Sequence, residues 1–175
     1  MRFGWSAFCS ALVAISLVAA RPAAAQVSAY ADFTTDRFTN NGGTSYLFGP
    51  TIGLTATLVP LSHLSVGADL RASLMGGKQR LDGIAIGPVF AFSSNNVKPY
   101  AEILVGFARY NDGLGTSTSA STNSELDIIG GIDAHLKGHL DWRVVEFAYQ
   151  QYFAIGTQVV PVSLSTGIVY RFGAK

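Results

Sequence analysis

Cysteine is almost missing from these 175 residues: there is one, Cys9. A single thiol excludes an intramolecular disulfide and a cysteine-based zinc site. Charge is scarce as well, at 13% of residues, and nearly balanced, with a formal net charge of +1. That balance excludes a basic nucleic-acid binder and a disordered acidic tail. Long apolar runs are lacking: the stretch from Ala11 to Ala20 falls well short of the roughly 20 residues that carry a helix across a bilayer, and Arg21 closes it. What the chain does have is glycine, 19 residues, and 11% aromatics, with almost no uninterrupted helical pattern. This points to an all-β protein of many short strands, in a length that holds one domain and a targeting segment.

The amino terminus reads as an address. Arg2 provides a short basic region, the apolar stretch follows, and Ala23-Ala24-Ala25 forms a small-residue cleavage pattern before Gln26. Residues 1–25 are therefore expected to be a secretory signal peptide, and residues 26–175 the mature domain. Cys9 precedes the apolar stretch and is not at the cleavage position, so a lipid-modified cysteine is not expected.

After Gln26 the period is two. Successive strand side chains point to opposite faces, so a sheet with different media on its faces must alternate in sequence. From Leu64 to Leu74 one face reads Leu64, Val66, Ala68, Leu70, Ala72 and Leu74; the other reads Ser65, Gly67, Asp69, Arg71 and Ser73. Phe48 to Leu58 alternates in the same way. Further ladders over 27–35, 81–92, 99–110, 125–136, 140–151 and 162–172 bring the expected count to eight strands. The apolar face carries Ile84, Ile86, Phe90, Ile103, Val105, Phe107, Ile128, Leu164 and Ile168, with no ionisable residue at its central positions. The opposite face collects Asp32, Asp69, Arg71, Glu102, Asp127, Asp133, His135, Asp141, Arg143, Glu146 and Arg171. A soluble sandwich would put those charges in water and bury the aliphatics. Here the apolar face runs through every strand, and each strand is about ten residues, the length that spans a bilayer when tilted. A charge on that face at mid-bilayer would cost about 2–4 kcal/mol. Lipid cannot satisfy free backbone groups, so the sheet must close on itself. The expected fold is an all-β, eight-stranded antiparallel up-and-down transmembrane barrel.

Connections are expected at 35–45, 60–63, 76–80, 93–98, 111–124, 137–139 and 152–161, long and short in rough alternation. Three positions strain the ladders. Pro50 and Pro88 lack the N–H a ladder needs, and each follows a glycine, which makes local bulges the expected solution. Arg143 and Glu146 are three apart and would face opposite sides of a regular strand. A bulge at Val144-Val145 would return Glu146 inward and send Phe147 and Tyr149 out.

The last strand, Ser165-Thr166-Gly167-Ile168-Val169-Tyr170-Arg171-Phe172, resembles the terminal signal read by the bacterial barrel-assembly machinery: polar, any, glycine, any, any, hydrophobic, any, aromatic. Ser165, Gly167, Tyr170 and Phe172 match its four specified positions; Gly173-Ala174-Lys175 after the aromatic is a departure. With the leader and the strand count, residues 26–172 resemble the OmpA/OmpX-like family of small outer-membrane β-barrels. The resemblance implies export through the periplasm to the outer membrane, contact with its lipids and lipopolysaccharide, engagement of the assembly machinery during biogenesis, and a monomer. The peptidoglycan-binding domain of larger family members has no counterpart here, so wall tethering through it is not expected.

An eight-stranded barrel is just wide enough for side chains to fill it, so the inward charges are expected to form a lumen network: Asp69, Arg71, Glu102, Asp133, Asp141, Arg143, Glu146 and Arg171, with the three arginines as hubs. The competing reading is a narrow porin-like channel lined by the same groups. His63, His135 and His139 fall at strand ends; His135 and His139 flank a turn, where solvated histidines outrank a metal pair. No metal or cofactor is expected. A Ser-His-acid lipid-remodelling enzyme needs its histidine at the opposite end, so no enzymatic activity is expected. Phe48, Phe107 and Tyr149 suit one aromatic girdle, and Phe92, Trp142, Tyr170 and Phe172 the other. Arg80 and Arg109 lie near outer strand ends, as a solvated rim or as contacts for lipopolysaccharide phosphates. The expected role is structural or surface-interactive, with adhesion through the 35–45 and 111–124 connections as a further possibility.

Overall fold

The computed structural model describes residues 26–40, 43–77, 79–92, 94, 96–111, 120–154, 157–159 and 161–172. The segment expected to be the leader, 1–25, lies outside them. Nine strands follow in order: β1 (Val27–Asn40), β2 (Gly43–Pro60), β3 (Leu64–Gly76), β4 (Arg80–Phe92), β5 (Val97–Asn111), β6 (Ala120–Lys137), β7 (Leu140–Ala154), β8 (Thr157–Val159) and β9 (Val162–Arg171). Each long strand pairs antiparallel with its sequence neighbour, and β1 pairs with β9, from Ser28 opposite Arg171 to Arg37 opposite Val162. That last pairing closes the ring and leaves eight staves. The three-residue β8 pairs with the top of β7, so β8 and β9 together form the eighth stave.

Alternation sorts the side chains as the period-two pattern requires. In β5, Ala101, Ile103, Val105 and Phe107 are exposed, while Glu102, Leu104 and Ala108 are buried. Because the ring is closed, the buried positions are the lumen and the exposed ones the outer wall. Isoleucines, leucines and phenylalanines cover that wall on every stave, among them Ile52, Leu70, Ile84, Ile103, Ile128, Phe147 and Ile168. Such a surface is stable against hydrocarbon, not against water.

The strands run 13 to 18 residues from β2 to β7, longer than the roughly ten a tilted strand needs to span a bilayer. Three expected loops are thereby shortened. Residues 35–40 and 43–45 are strand, paired up to Asn40 opposite Gly43. Residues 120–124 belong to β6, and 152–154 to β7. Ladder hydrogen bonds need no apolar side chains, so strands continue into polar sequence.

The prolines give a second correction. Pro50 stands opposite Phe33 and Pro88 opposite Ala68, with no shift of register at either site. Pro50 and Pro88 point outward, and the glycines before them lie against neighbouring backbone: a Cβ on Gly49 would meet the Leu74 carbonyl oxygen, and one on Gly87 that of Ile103. The bulge in β2 instead falls between Thr57 and Val59. The bulge expected in β7 is present. Ile132 pairs with Val145 and Asp133 with Arg143, which leaves Val144 as the extra residue. Arg143 and Glu146 are both buried, and Val145 and Phe147 both exposed.

Candidate functional site: the side chains inside the barrel

The lumen is built in three layers along the axis. The middle layer is a belt of ions. Arg71 on β3 reaches across the barrel to Glu146 on β7, with Nη1 donating to Oε1 at 2.7 Å and Nη2 to Oε2 at 3.0 Å. This is the two-pronged geometry in which a guanidinium binds a carboxylate most strongly. Its Nη2 also donates to Glu102 at 3.2 Å. Arg143, beside Glu146 across the bulge, donates from Nη1 to Glu146 at 3.1 Å and to Asp32 on β1 at 2.9 Å, and from Nε to Asp133 at 3.1 Å. Glu146 is thus held by both arginines, and the bulge at Val144 is what brings it into the lumen.

Two tyrosines complete the belt. The Tyr100 hydroxyl donates to Glu146 at 2.6 Å, and that of Tyr30 to Asp69 at 2.8 Å; Thr55 donates to the same Asp69 at 2.7 Å. The Arg143 guanidinium lies 4.2 Å from the Tyr30 ring centre and 4.9 Å from that of Tyr100, within cation–π range. Each ring rests where the facing strand has no side chain: Tyr30 stands opposite Gly53 and Tyr100 opposite Gly131, and a Cβ on either glycine would collide with the ring. Reading the sequence for charge alone passed over both tyrosines. The signal was available, because Tyr30 and Tyr100 share the inward parity of Asp32 and Glu102.

Toward the end where β1 starts and β9 finishes, a second and separate group forms around Asp141. It accepts from Arg171 Nη2 at 2.8 Å, lies 3.6 Å from Lys98 Nζ, and contacts His135 Nδ1 at 2.9 Å. Arg171 is therefore not a hub of the belt. His135 is solvent-exposed and joins this group from β6, where the β6–β7 hairpin sets it opposite Asp141. His139 remains exposed, with Nδ1 3.0 Å from the Arg171 carbonyl. A vestibule of about 190 Å³, lined by Lys98, Asp141 and Arg171 among others, extends from this end to Tyr100, Glu102 and Arg143 of the belt.

Toward the far end the lumen turns apolar. Leu47, Met75, Leu81, Ala108 and Tyr152 pack together, all buried. Asp36, Glu125 and Asp127 are also buried on this side of the lumen. Asp127 stands on the inward face read from the sequence but outside the expected network, Glu125 shares its parity at the start of the 125–136 ladder, and Asp36 lies one residue beyond the 27–35 ladder.

The terminal-strand residues divide between the faces. Ser165 is buried and hydrogen-bonded to Thr34 at 2.9 Å. A Cβ on Gly167 would clash with Asp32 and the Ala31 carbonyl, so the glycine lets the belt carboxylate sit against β9. Tyr170 and Phe172 project outward and meet edge to face at 5.0 Å. The remaining girdle aromatics, Phe48, Phe92, Phe107, Trp142 and Tyr149, are all exposed on the wall.

No protein-family model matches the sequence, and no curated protein matches it. Solved structures do. Neisserial surface protein A superposes with a TM-score of 0.58 at 20% identity, over 83% of this chain and 97% of that one. The fold is that of the small outer-membrane β-barrels. The attachment invasion locus protein of Yersinia pestis, Ail, matches with a TM-score of 0.60 at 13% identity, over 85% of this chain and 99% of that one. OprG, an outer membrane protein of Pseudomonas aeruginosa, matches with a TM-score of 0.54 at 13% identity, over 86% and 97%. At these identities the likeness is one of fold alone.

Proposed function

We propose that this chain is an integral outer-membrane barrel with a structural and surface-interaction role and a lumen closed by its own side chains. The observation that carries the reading is the Arg71–Glu146–Arg143 bridge, which ties β3 to β7 across the barrel and, through Asp32, Asp133 and Glu102, draws in β1, β6 and β5. Breaking a buried ion pair from one side is costly, so the bridge holds its side chains across the lumen and locks the interior instead of leaving a wet path. The apolar cluster around Leu47 and Met75 forms a second closure. With both termini at the periplasmic end, the far end stands outside the cell. On this reading the chain is assembled through its terminal strand, is monomeric, and performs no catalysis; His63, His135 and His139 all lie at the periplasmic end.

The vestibule below the belt favours one second reading, a narrow porin-like channel gated by Arg143. Planar-bilayer recordings separate the two. The closed-lumen reading predicts no reproducible openings for the unmodified barrel. Openings that Arg143→Ala alters would establish the channel instead.

A further inference from the structure

The group around Asp141 at the vestibule mouth contains a conflict that one proton decides. Three atoms form a tight triangle: His135 Nδ1 is 2.9 Å from Asp141 Oδ1 and 2.8 Å from Arg171 Nη2, and Arg171 Nη2 donates to the same Oδ1 at 2.8 Å. A guanidinium only donates and an ionised carboxylate only accepts, so one imidazole nitrogen cannot satisfy both neighbours. Bare, Nδ1 accepts from Arg171 and turns its lone pair beside that of Asp141. Carrying hydrogen, it donates to Asp141 and confronts the N–H of Arg171.

Protonation of the ring adds a surplus of charge to this change of partner. With His135 neutral, Asp141 balances Arg171 and Lys98, whose Nζ lies 3.6 Å away. With an imidazolium, three cations share one carboxylate. The next carboxylate, Asp133, stands opposite Lys98 two residues back along β6, and Arg143 Nε already donates to it at 3.1 Å. Lys137 and His139, on the same hairpin, bring further basic groups. Arg171 is the cation best able to leave. Its backbone is pinned to the turn, with its N–H on the His139 carbonyl at 2.8 Å and its carbonyl 3.0 Å from His139 Nδ1. Its side chain lines the vestibule, and its Nε is buried with no hydrogen-bond partner among the described residues, so swinging outward gives that donor to water.

We propose that His135, Asp141 and Arg171 form a proton-operated latch over the vestibule. With His135 neutral, Arg171 bridges His135 and Asp141 and covers the mouth; with His135 protonated, the imidazolium takes Asp141 and Arg171 swings out, opening the vestibule to solvent. Imidazole is the side chain that changes charge between about pH 5 and pH 8. The belt keeps its own pairs, so the latch admits solvent as far as Tyr100 and Glu102, whether or not the lumen beyond them conducts.

The test uses the barrel refolded in detergent micelles, with histidine nitrogens and valine methyls labelled, followed by NMR from about pH 8 to about pH 5. The His135 signals are assigned by their loss in His135→Gln. At the alkaline end His135 Nδ1 is predicted to be the bare nitrogen. As the ring titrates, a neutral gadolinium chelate is predicted to relax the methyls of Val89 and Val169, both in the vestibule lining, several-fold faster and along the same curve. His135→Gln is predicted to hold the slow, closed value throughout, Arg171→Ala the fast one, and His139→Gln to follow the parent. The outward Val105 methyl is predicted to stay unchanged. Hydrogen on Nδ1 at the alkaline end would overturn the proposal, as would vestibule access that ignores pH or keeps its transition in His135→Gln. An equal rise at Val105 would overturn it too, because the whole barrel would then be loosening. Heat-modifiable gel mobility confirms that each variant is folded.

Discussion

Glu146 is the residue on which the interior turns. It accepts from Arg71, Arg143 and Tyr100 and is 1% exposed, so removing its carboxylate leaves two buried guanidinium groups short of their shared partner. Breaking a buried pair from one side costs about 3–5 kcal/mol. Glu146→Ala should therefore lower the urea midpoint of unfolding by a large margin, read from the heat-modifiable gel shift, whereas replacing Arg71, Arg143 and Glu146 together with apolar residues of similar volume should cost less. Gly131 provides a packing counterpart. Its missing side chain makes room for the Tyr100 ring, so Gly131→Val should destabilise by about 1–3 kcal/mol. Gly130→Val, one residue away and facing outward, meets nothing closer than the Tyr100 carbonyl oxygen at 3.9 Å and should be close to neutral. The same unfolding assay compares the two.

Among the elements, β7 shows how one extra residue decides which side of a wall a charge occupies. Deleting Val144 would restore strict alternation and turn either Arg143 or Glu146 toward lipid, where an arginine at mid-bilayer costs about 2–4 kcal/mol. The deletion variant should fail to form a heat-modifiable barrel, while Val144→Ala, which keeps the count, should fold. The bulge was legible because Arg143 and Glu146 violate parity in sequence. Other features were not. Pro50 and Pro88 do interrupt one ladder each, since pairing passes from Phe48–Gly76 to Thr51–Ser73 and from Ile86–Val105 to Val89–Glu102, but the register resumes unshifted and no bulge forms. The top of β1 and residues 120–124 of β6 read as loops because they are polar; parity persists at the top of β1, and it carries Asp36 into the lumen. The inward direction of Asp69, Arg71, Glu102 and Asp133 followed from period two alone. Which arginine meets which carboxylate did not, because the belt contacts reach across the lumen, far beyond hairpin neighbours: Arg71 is 75 residues from Glu146, and Arg143 is 111 from Asp32.

For the whole molecule, two media define the architecture. Hydrocarbon outside requires an apolar wall and a closed ladder; the confined interior gathers the ionic groups, with the arginines of the belt paired to carboxylates. Both conditions rest on one alternation, repeated over eight staves. The most direct test is a spin-label scan along β5 in lipid vesicles, one label at a time from position 101 to 107, reading collision with oxygen against a water-soluble nickel reagent. The account predicts high oxygen and low nickel access at Ala101, Ile103, Val105 and Phe107, and restricted oxygen access at Glu102 and Leu104. Uniform access along the strand, or the inverse pattern, would contradict it.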